Sequence, residues 1–194
     1  LRRLSAWSEL TAHPTRRDAV RTIGIDPGGT GALAFLTLDA DGRPTNLEIV
    51  DMPVGKVGKR TRVDVYALAR EIDARMKDED GQPGEPFDVA MIEQGGVRPL
   101  NGRVGAGTFW MGVGALHGVL AANFIPIETC VPRAWRSALR VTGDKDASRL
   151  RASAIFPRWA ALWSRAKDHG RAEAALIALH GANKLPSLGA RKSA

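Results

Sequence analysis

The stretch Thr22-Ile23-Gly24-Ile25-Asp26-Pro27-Gly28-Gly29-Thr30-Gly31 decides the fold. An apolar run at 22–26 stops at an acid and a Pro-Gly-Gly turn, and a second apolar run follows at 33–38, so the chain reverses through a short glycine-rich connection. The turn-rich residues Asp39-Ala40-Asp41-Gly42-Arg43-Pro44 separate the second run from a third at 47–50. Three consecutive strands with short connections predict an antiparallel meander. Val65, Leu68, Ala69, Ile72 and Met76 then recur at helical spacing, and after a loop through Gly81-Gln82-Pro83-Gly84 a fourth apolar run, 89–92, ends in Glu93.

Beyond Glu93 the Gly- and Ala-rich residues 103–123 read as a close-packed buried helix, and 124–129 as a fifth strand. Pro132 suits the first turn of a helix, where its missing N–H costs little, and opens a helix at 132–139. Asp146 or Ser148 is placed to cap the next helix, which runs to the break at Pro157. A last helix covers about 171–182. The order β-β-β-α-β-α-β-α-α-α predicts an α/β domain, a mixed five-stranded sheet with its first three strands antiparallel, flanked by helices. In this reading 1–21 form an N-terminal extension, 22–183 one domain, and 184–194 a frayed tail rich in Lys, Arg and Ser.

The 194 residues are 44% apolar, enough for one core of ordinary size, and carry a net charge of +7. The lone Cys130 excludes a disulfide framework and a cysteine-rich zinc site, and it points to a reducing, cytoplasmic compartment. No window reaches the ~18–20 unbroken apolar residues expected of a membrane span, so no membrane is predicted. The charge is unevenly placed. Residues 131–171 hold ten Lys/Arg and three Asp, so this one segment equals the whole excess and the remainder is balanced. A basic region on a balanced body is the footprint of a polyanion, because Lys or Arg set against phosphates releases condensed counterions. The blander reading is a solvated helical surface. Trp135, Trp159 and Trp163 lie among these charges; they are expected in the core, with base stacking as the other use of such rings.

Two carboxylates stand at informative places. Asp26 closes the first strand before a backbone that glycine leaves open to a close ligand, and Glu93 closes the fourth, which a twisted sheet can set beside the first. Acids at adjacent strand ends repel unless a cation shares them, so the pair points to a hard divalent metal. Glu173, at the start of the last apolar helix, can project at the sheet, and Asp168 can cap that helix or face the same metal. Singly, each has an ordinary explanation as a turn, strand-end or cap residue. Together they suit two Mg²⁺ ions about 3.5–4 Å apart, with Mn²⁺ substituting, which activate water and stabilise the leaving oxygen of a phosphodiester.

These residues also resemble a known family. Ile23-Gly24-Ile25-Asp26-Pro27-Gly28 with Gly31, Ile92-Glu93-Gln94, the glycine-rich helix into Ile127-Glu128, Pro132-x-x-Trp135-Arg136, Gly143-Asp144-Lys145 and Asp168-His169-Gly170-Arg171-Ala172-Glu173-Ala174 resemble the RuvC-type Holliday-junction resolvases, the phage-like branch above all. The likeness runs from about Thr22 to Gly181. It implies an RNase H-like fold, a homodimer, and Mg²⁺-dependent nicking of four-way DNA junctions without a nucleotide cofactor. Carried over by position, Asp26, Glu93, Asp168 and Glu173 are the implied catalytic metal-binding acids, with His169 as a proton-transfer group. Arg136 and Lys145 fall at implied DNA contacts, joined by Arg133, Arg140 and Arg149. The family's position three residues before the last acid is Gly170 here, and the residues after Glu93 are Gly95-Gly96-Val97-Arg98 where bacterial members place an aromatic.

Two rival readings follow from the same residues. A junction-binding protein that kept the fold and lost a metal ligand is compatible with Gly170. The glycine-rich loop after Ile25 also resembles the first phosphate loop of sugar kinases and actin-like ATPases, which use a second lobe and a second phosphate motif that this sequence does not show.

Overall fold

A computed structural model of the protein describes residues 19–58, 60–78, 80–95, 102–143 and 145–186, without the side chains of Arg103 and Lys145. The meander forms as expected, with longer strands: β1 (Ala19–Asp26), β2 (Ala32–Asp39) and β3 (Pro44–Asp51). A two-stranded hairpin follows, β4 (Val54–Val57) and β5 (Arg60–Val63), then helix α1 (Val65–Arg75) and strand β6 (Val89–Glu93). Helix α2 (Gly102–Ala122), strand β7 (Ile127–Cys130) and helices α3 (Pro132–Ala138) and α4 (Lys145–Ile155) come next. Two 3₁₀ segments, Pro157–Trp163 and Ala166–Asp168, lead into α5 (His169–Lys184).

The main sheet has the order β3-β2-β1-β6-β7. β1 pairs antiparallel with β2 and parallel with β6, and β6 parallel with β7, so the sheet is mixed as predicted. The register sets Ile25 opposite Ile92, which brings Asp26 and Glu93 to neighbouring strand ends.

Strand side chains alternate between faces, and both faces are covered. Ala32, Ala34, Leu36, Leu38 and Met91 join one core with Trp135, Phe156, Trp163 and the buried side of α5. Ile23, Ile25, Leu33, Phe35, Ala90 and Ile92 join a second with Leu68 and Ile72 of α1 and Leu116 and Leu120 of α2. The result is three layers, helices on either side of one sheet. Trp135 and Trp163 are core residues, as expected, and Trp159 is partly buried against them.

Several sequence expectations are corrected. β1 starts at Ala19, inside the segment read as extension, and pairs with β2 along its whole length; residues 1–18 and 187–194 lie outside the described residues. The hairpin 54–63 had no counterpart in the sequence reading. Neither Asp146 nor Ser148 caps α4. Asp146 sits in its first turn and pairs with Arg149 (2.6 Å), while Ser148 is buried inside the helix.

The largest correction concerns α2, which is not enclosed. Gly112, Leu116, Val119 and Leu120 form its buried stripe, whereas Val104, Gly107, Met111, Gly114, Gly118 and Ala121 lie exposed along the opposite side at three- and four-residue spacing. The run Val104–Ala122 is uncharged and, by length and composition alone, long and apolar enough to cross a membrane. Its buried stripe is nevertheless packed on the sheet and α1 in the second core.

Candidate active site

β1, β6 and α5 place three acids at one end of the sheet. Asp26 and Glu93 end their strands, and Glu173 lies in the second turn of α5, which crosses β1 at very close range. That crossing depends on Gly24. A Cβ there would overlap the carbonyl oxygen of Ala174 and the amide nitrogen of Ala178 and stand 2.7 Å from the Ala178 Cα. The buried Thr22 hydroxyl donates to the Ala178 carbonyl (3.0 Å) and pins the same two elements. Beyond Asp26, Gly31 N–H donates to the Gly28 carbonyl (2.8 Å) and Gly28 N–H to Asp26 Oδ1 (3.2 Å), so the turn folds back over the carboxylate. Gly31 lies so close that a Cβ would come within 2.8 Å of Asp26 Cγ.

Each of the other two acids is held by one oxygen. Trp135 Nε1 donates to Glu93 Oε1 (2.8 Å). Ser148 Oγ donates to Glu173 Oε1 (3.0 Å), and Arg136 Nη1 stands 3.4 Å from the same oxygen. Among the described residues no donor bonds to Oε2 of either acid, so both keep a ligating oxygen. Burial pushes the Glu93 carboxyl up to about 7, against the opposing Trp135 hydrogen bond, with the charges of Asp26 and Glu173 adding to the rise and Arg136 resisting it. Such a group gains from a cation. The donor set, carboxylate oxygens throughout, suits a hard divalent ion. As the side chains stand, no three His, Cys, Asp or Glu among the described residues are grouped tightly enough to enclose one.

Asp168 is set apart from these three. Its carboxylate takes a bidentate pair from Arg165 (2.9 Å to each oxygen) and the Arg165 backbone N–H (3.2 Å). The Arg165 guanidinium holds it down to about 2. Nearby, Arg171 forks onto Asp51 at the end of β3 (2.6 Å to each oxygen) and so ties α5 to the sheet edge. The residue of the α5 entry that faces Asp26 is Gly170. A Cβ on it would lie 3.1 Å from Asp26 Oδ2 and 2.7 Å from the Thr30 carbonyl oxygen, so no side chain fits. His169 is half-buried, with Nδ1 3.4 Å from the Ala166 carbonyl and no hydrogen bond to an acid of the cluster.

A linkage prediction follows for Asp168. A carboxylate depressed from 3.8 to about 2 contributes stability that is fully present above the unfolded value and fades as pH falls through the folded one. The stability gap between wild type and Asp168→Asn, measured by urea titration, is therefore expected to be constant near neutrality and to close as pH falls through the window bounded by those two values.

The basic residues divide by what they touch. Arg136 belongs to the acid cluster: besides Glu173 it bonds the Gly143 carbonyl (2.8 Å) and lies 5.4 Å from the Trp135 ring centre. Arg149 is committed to Asp146 and the Ser164 carbonyl. Arg133 and Arg140 are exposed, while the Lys145 side chain and residues 96–101 lie outside what is described. Sequence reasoning missed Ser148 and the hydrogen-bonding task of Trp135. It also missed Phe109, whose ring lies over Gly95, where a Cβ would come within 2.7 Å of it.

No family model matches the chain. It is 29% identical over 155 residues to the chloroplastic Holliday junction resolvase MOC1 of Chlamydomonas reinhardtii, covering 72% of this chain and 18% of that protein, so the chain spans under one fifth of the relative's length. T. thermophilus RuvC in complex with a Holliday junction substrate matches with a TM-score of 0.52 at 18% identity, over 90% of this chain and 97% of that one. Thermus thermophilus RuvC by itself matches with a TM-score of 0.50 over the same shares, again at 18% identity. The chain thus has the RNase H-like fold of RuvC and resembles the RuvC-type Holliday-junction resolvases in structure and in sequence.

Proposed function

We propose that the chain is a divalent-metal-dependent endonuclease that cleaves four-way junctions or related branched DNA, with Asp26, Glu93 and Glu173 as its metal-holding acids. The observation that carries the reading is the convergence of Asp26, Glu93 and Glu173 at one end of the sheet, with the half-buried Glu93 carboxyl pushed up to about 7 where a cation would restore its charge. Likeness to a resolvase in sequence and to RuvC in fold supports branched DNA as the substrate. Mg²⁺, or Mn²⁺ in its place, two ions to a site, would supply Lewis acidity toward the phosphodiester and lower the pKa of water. The chain's own residues position. Trp135 fixes Glu93, and Ser148 and Arg136 fix Glu173, each by Oε1, which leaves Oε2 for metal. Gly28 and the exposed Gly29 put no side chain beside Asp26, so a DNA backbone can come close there.

The test is cleavage of a labelled mobile four-way junction beside a linear duplex of the same sequence, in Mg²⁺ and in EDTA. Paired nicks on the junction alone, abolished by EDTA, are expected. A junction bound tightly but left uncut in Mg²⁺ and Mn²⁺ would establish the non-catalytic reading, which the side-chain-free position at Gly170 favours. Equal cutting of junction and duplex would leave a general nuclease.

The same reading includes a homodimer, supported by the uncovered face of α2. Val104 and Met111 are 53% and 61% exposed there, and Gly107, Gly114 and Gly118 between and beyond them let a second helix approach closely. A second copy of α2 is the occupant this face fits. Val104→Lys with Met111→Lys is expected to convert a dimer to a monomer in sedimentation analysis; a monomeric parent would refute the assembly.

A further inference from the structure

The hairpin between β3 and α1 leaves the sheet beside the acids. Met52 N–H donates to the Gly31 carbonyl (2.9 Å), Asp64 N–H closes the base onto the Pro53 carbonyl (2.9 Å), and between them Val54 pairs with Val63 and Val57 with Arg60. β2 is antiparallel to both β1 and β3, so β3 ends on the same side of the sheet as Asp26 and Glu93. The stem is seated on α2: Gly112 makes room for Val63, whose Cγ2 would be 2.9 Å from a Cβ at that position. The outer part stands in solvent, with Lys56, Val57, Gly58, Arg60 and Thr61 all exposed.

Residues 52–63 carry four cations, Lys56, Lys59, Arg60 and Arg62, and no acid. Of these, Lys56, Arg60 and Arg62 pair with no carboxylate among the described residues. Lys56 Nζ only crosses the ribbon to Thr61 Oγ1 (2.8 Å), and the buried Nε of Arg62 has no acceptor. In the segment 131–171, four of the ten cations are differently placed. Arg136, Arg149, Arg165 and Arg171 are already joined to Glu173, Asp146, Asp168 and Asp51. A carboxylate partner offsets part of the charge those four arginines would offer a phosphate; Lys56, Arg60 and Arg62 have no such partner among the described residues.

We propose that the hairpin 54–63 is a second DNA-binding element, which lays Lys56, Arg60 and Arg62 along the phosphates of a duplex arm next to the cleavage site. The inference rests on the reading that DNA is the substrate. The contacts are to the backbone, so the ribbon positions an arm and does not read its sequence.

The test compares the full chain with Lys56→Gln/Arg60→Gln, both exposed positions, and with a control of equal charge change, Arg43→Gln/Lys77→Gln. The control cations are paired with Asp41 and Asp73 and are not in the hairpin. Binding of a labelled four-way junction and a linear duplex is followed by fluorescence anisotropy in EDTA across a salt series. The hairpin variant is expected to bind on the order of tenfold more weakly at ~100 mM salt and to lose about 1–2 from the log–log salt slope, one contribution of ~0.9 per phosphate contact. The control is expected to match the parent. A hairpin variant indistinguishable from the control would overturn the inference. The parent alone tests the underlying reading: if it neither prefers nor cuts junctions, that reading falls while the slope difference still decides the hairpin, and a parent that binds no DNA overturns both.

Discussion

Asp26→Asn is expected to lower junction cleavage by about a thousandfold or more while junction binding persists, because removing a ligand charge strips away roughly 4 kcal/mol of transition-state stabilisation. The substitution is nearly isosteric, so the Gly28 N–H can still bond the retained oxygen and the turn over it remains folded. What changes is charge. Asp26 is one of the two acids that raise Glu93, so its neutralisation also makes a cation less welcome to the carboxylates that remain. Single-turnover cleavage measured beside anisotropy binding separates the two effects. Cleavage within tenfold of wild type would remove Asp26 from the chemistry.

Gly24→Ala is the prediction with the largest effect on stability, a loss of more than ~4 kcal/mol or outright failure to fold. The added methyl would meet main-chain atoms of Ala174 and Ala178, and no rotamer change relieves a clash with backbone. α5 would have to lift from β1, taking Leu176, Ile177 and Ala178 out of cores where each is fully buried. Gly29→Ala is the comparison: a Cβ there meets nothing within 4 Å, and stability should stay within about 0.5 kcal/mol of wild type. Urea denaturation of both variants reads the difference. Equal stability of the two would mean that α5 and β1 are less tightly apposed than described.

The parts of the fold that were legible in the sequence are those with a buried face. Residues 22–26 and 33–38 announce strands because their side chains fill cores on both faces of the sheet, and the helical recurrence of Leu68 and Ile72 marks the face that α1 buries. Asp26 and Glu93 were legible as a pair because each ends an apolar run. The hairpin 54–63 was not, since no regular apolar alternation marks it. The outer side of α2 was misread for the opposite reason: an apolar composition does not say which stripe is covered. The place of Asp168 in a motif gives no sign of its ion pair with Arg165, three residues away. Ser148 and Arg136 reach Glu173 across 25 and 37 residues, and nothing local encodes such a contact.

The apposition at Gly24 has a wider consequence for how this chemistry tolerates sequence drift. Asp26 and Glu173 are carried by two elements whose separation is set where main chain meets main chain, not by the size of intervening side chains. Core residues elsewhere can be exchanged, and layers can thicken or thin, while the gap between these two carboxylates stays constant. A template of that kind keeps the two acids of this chain at one spacing whatever side chains fill the layers beside them. The spacing of the reactive groups is a property inherited from the backbone, and the cores around it are free to vary.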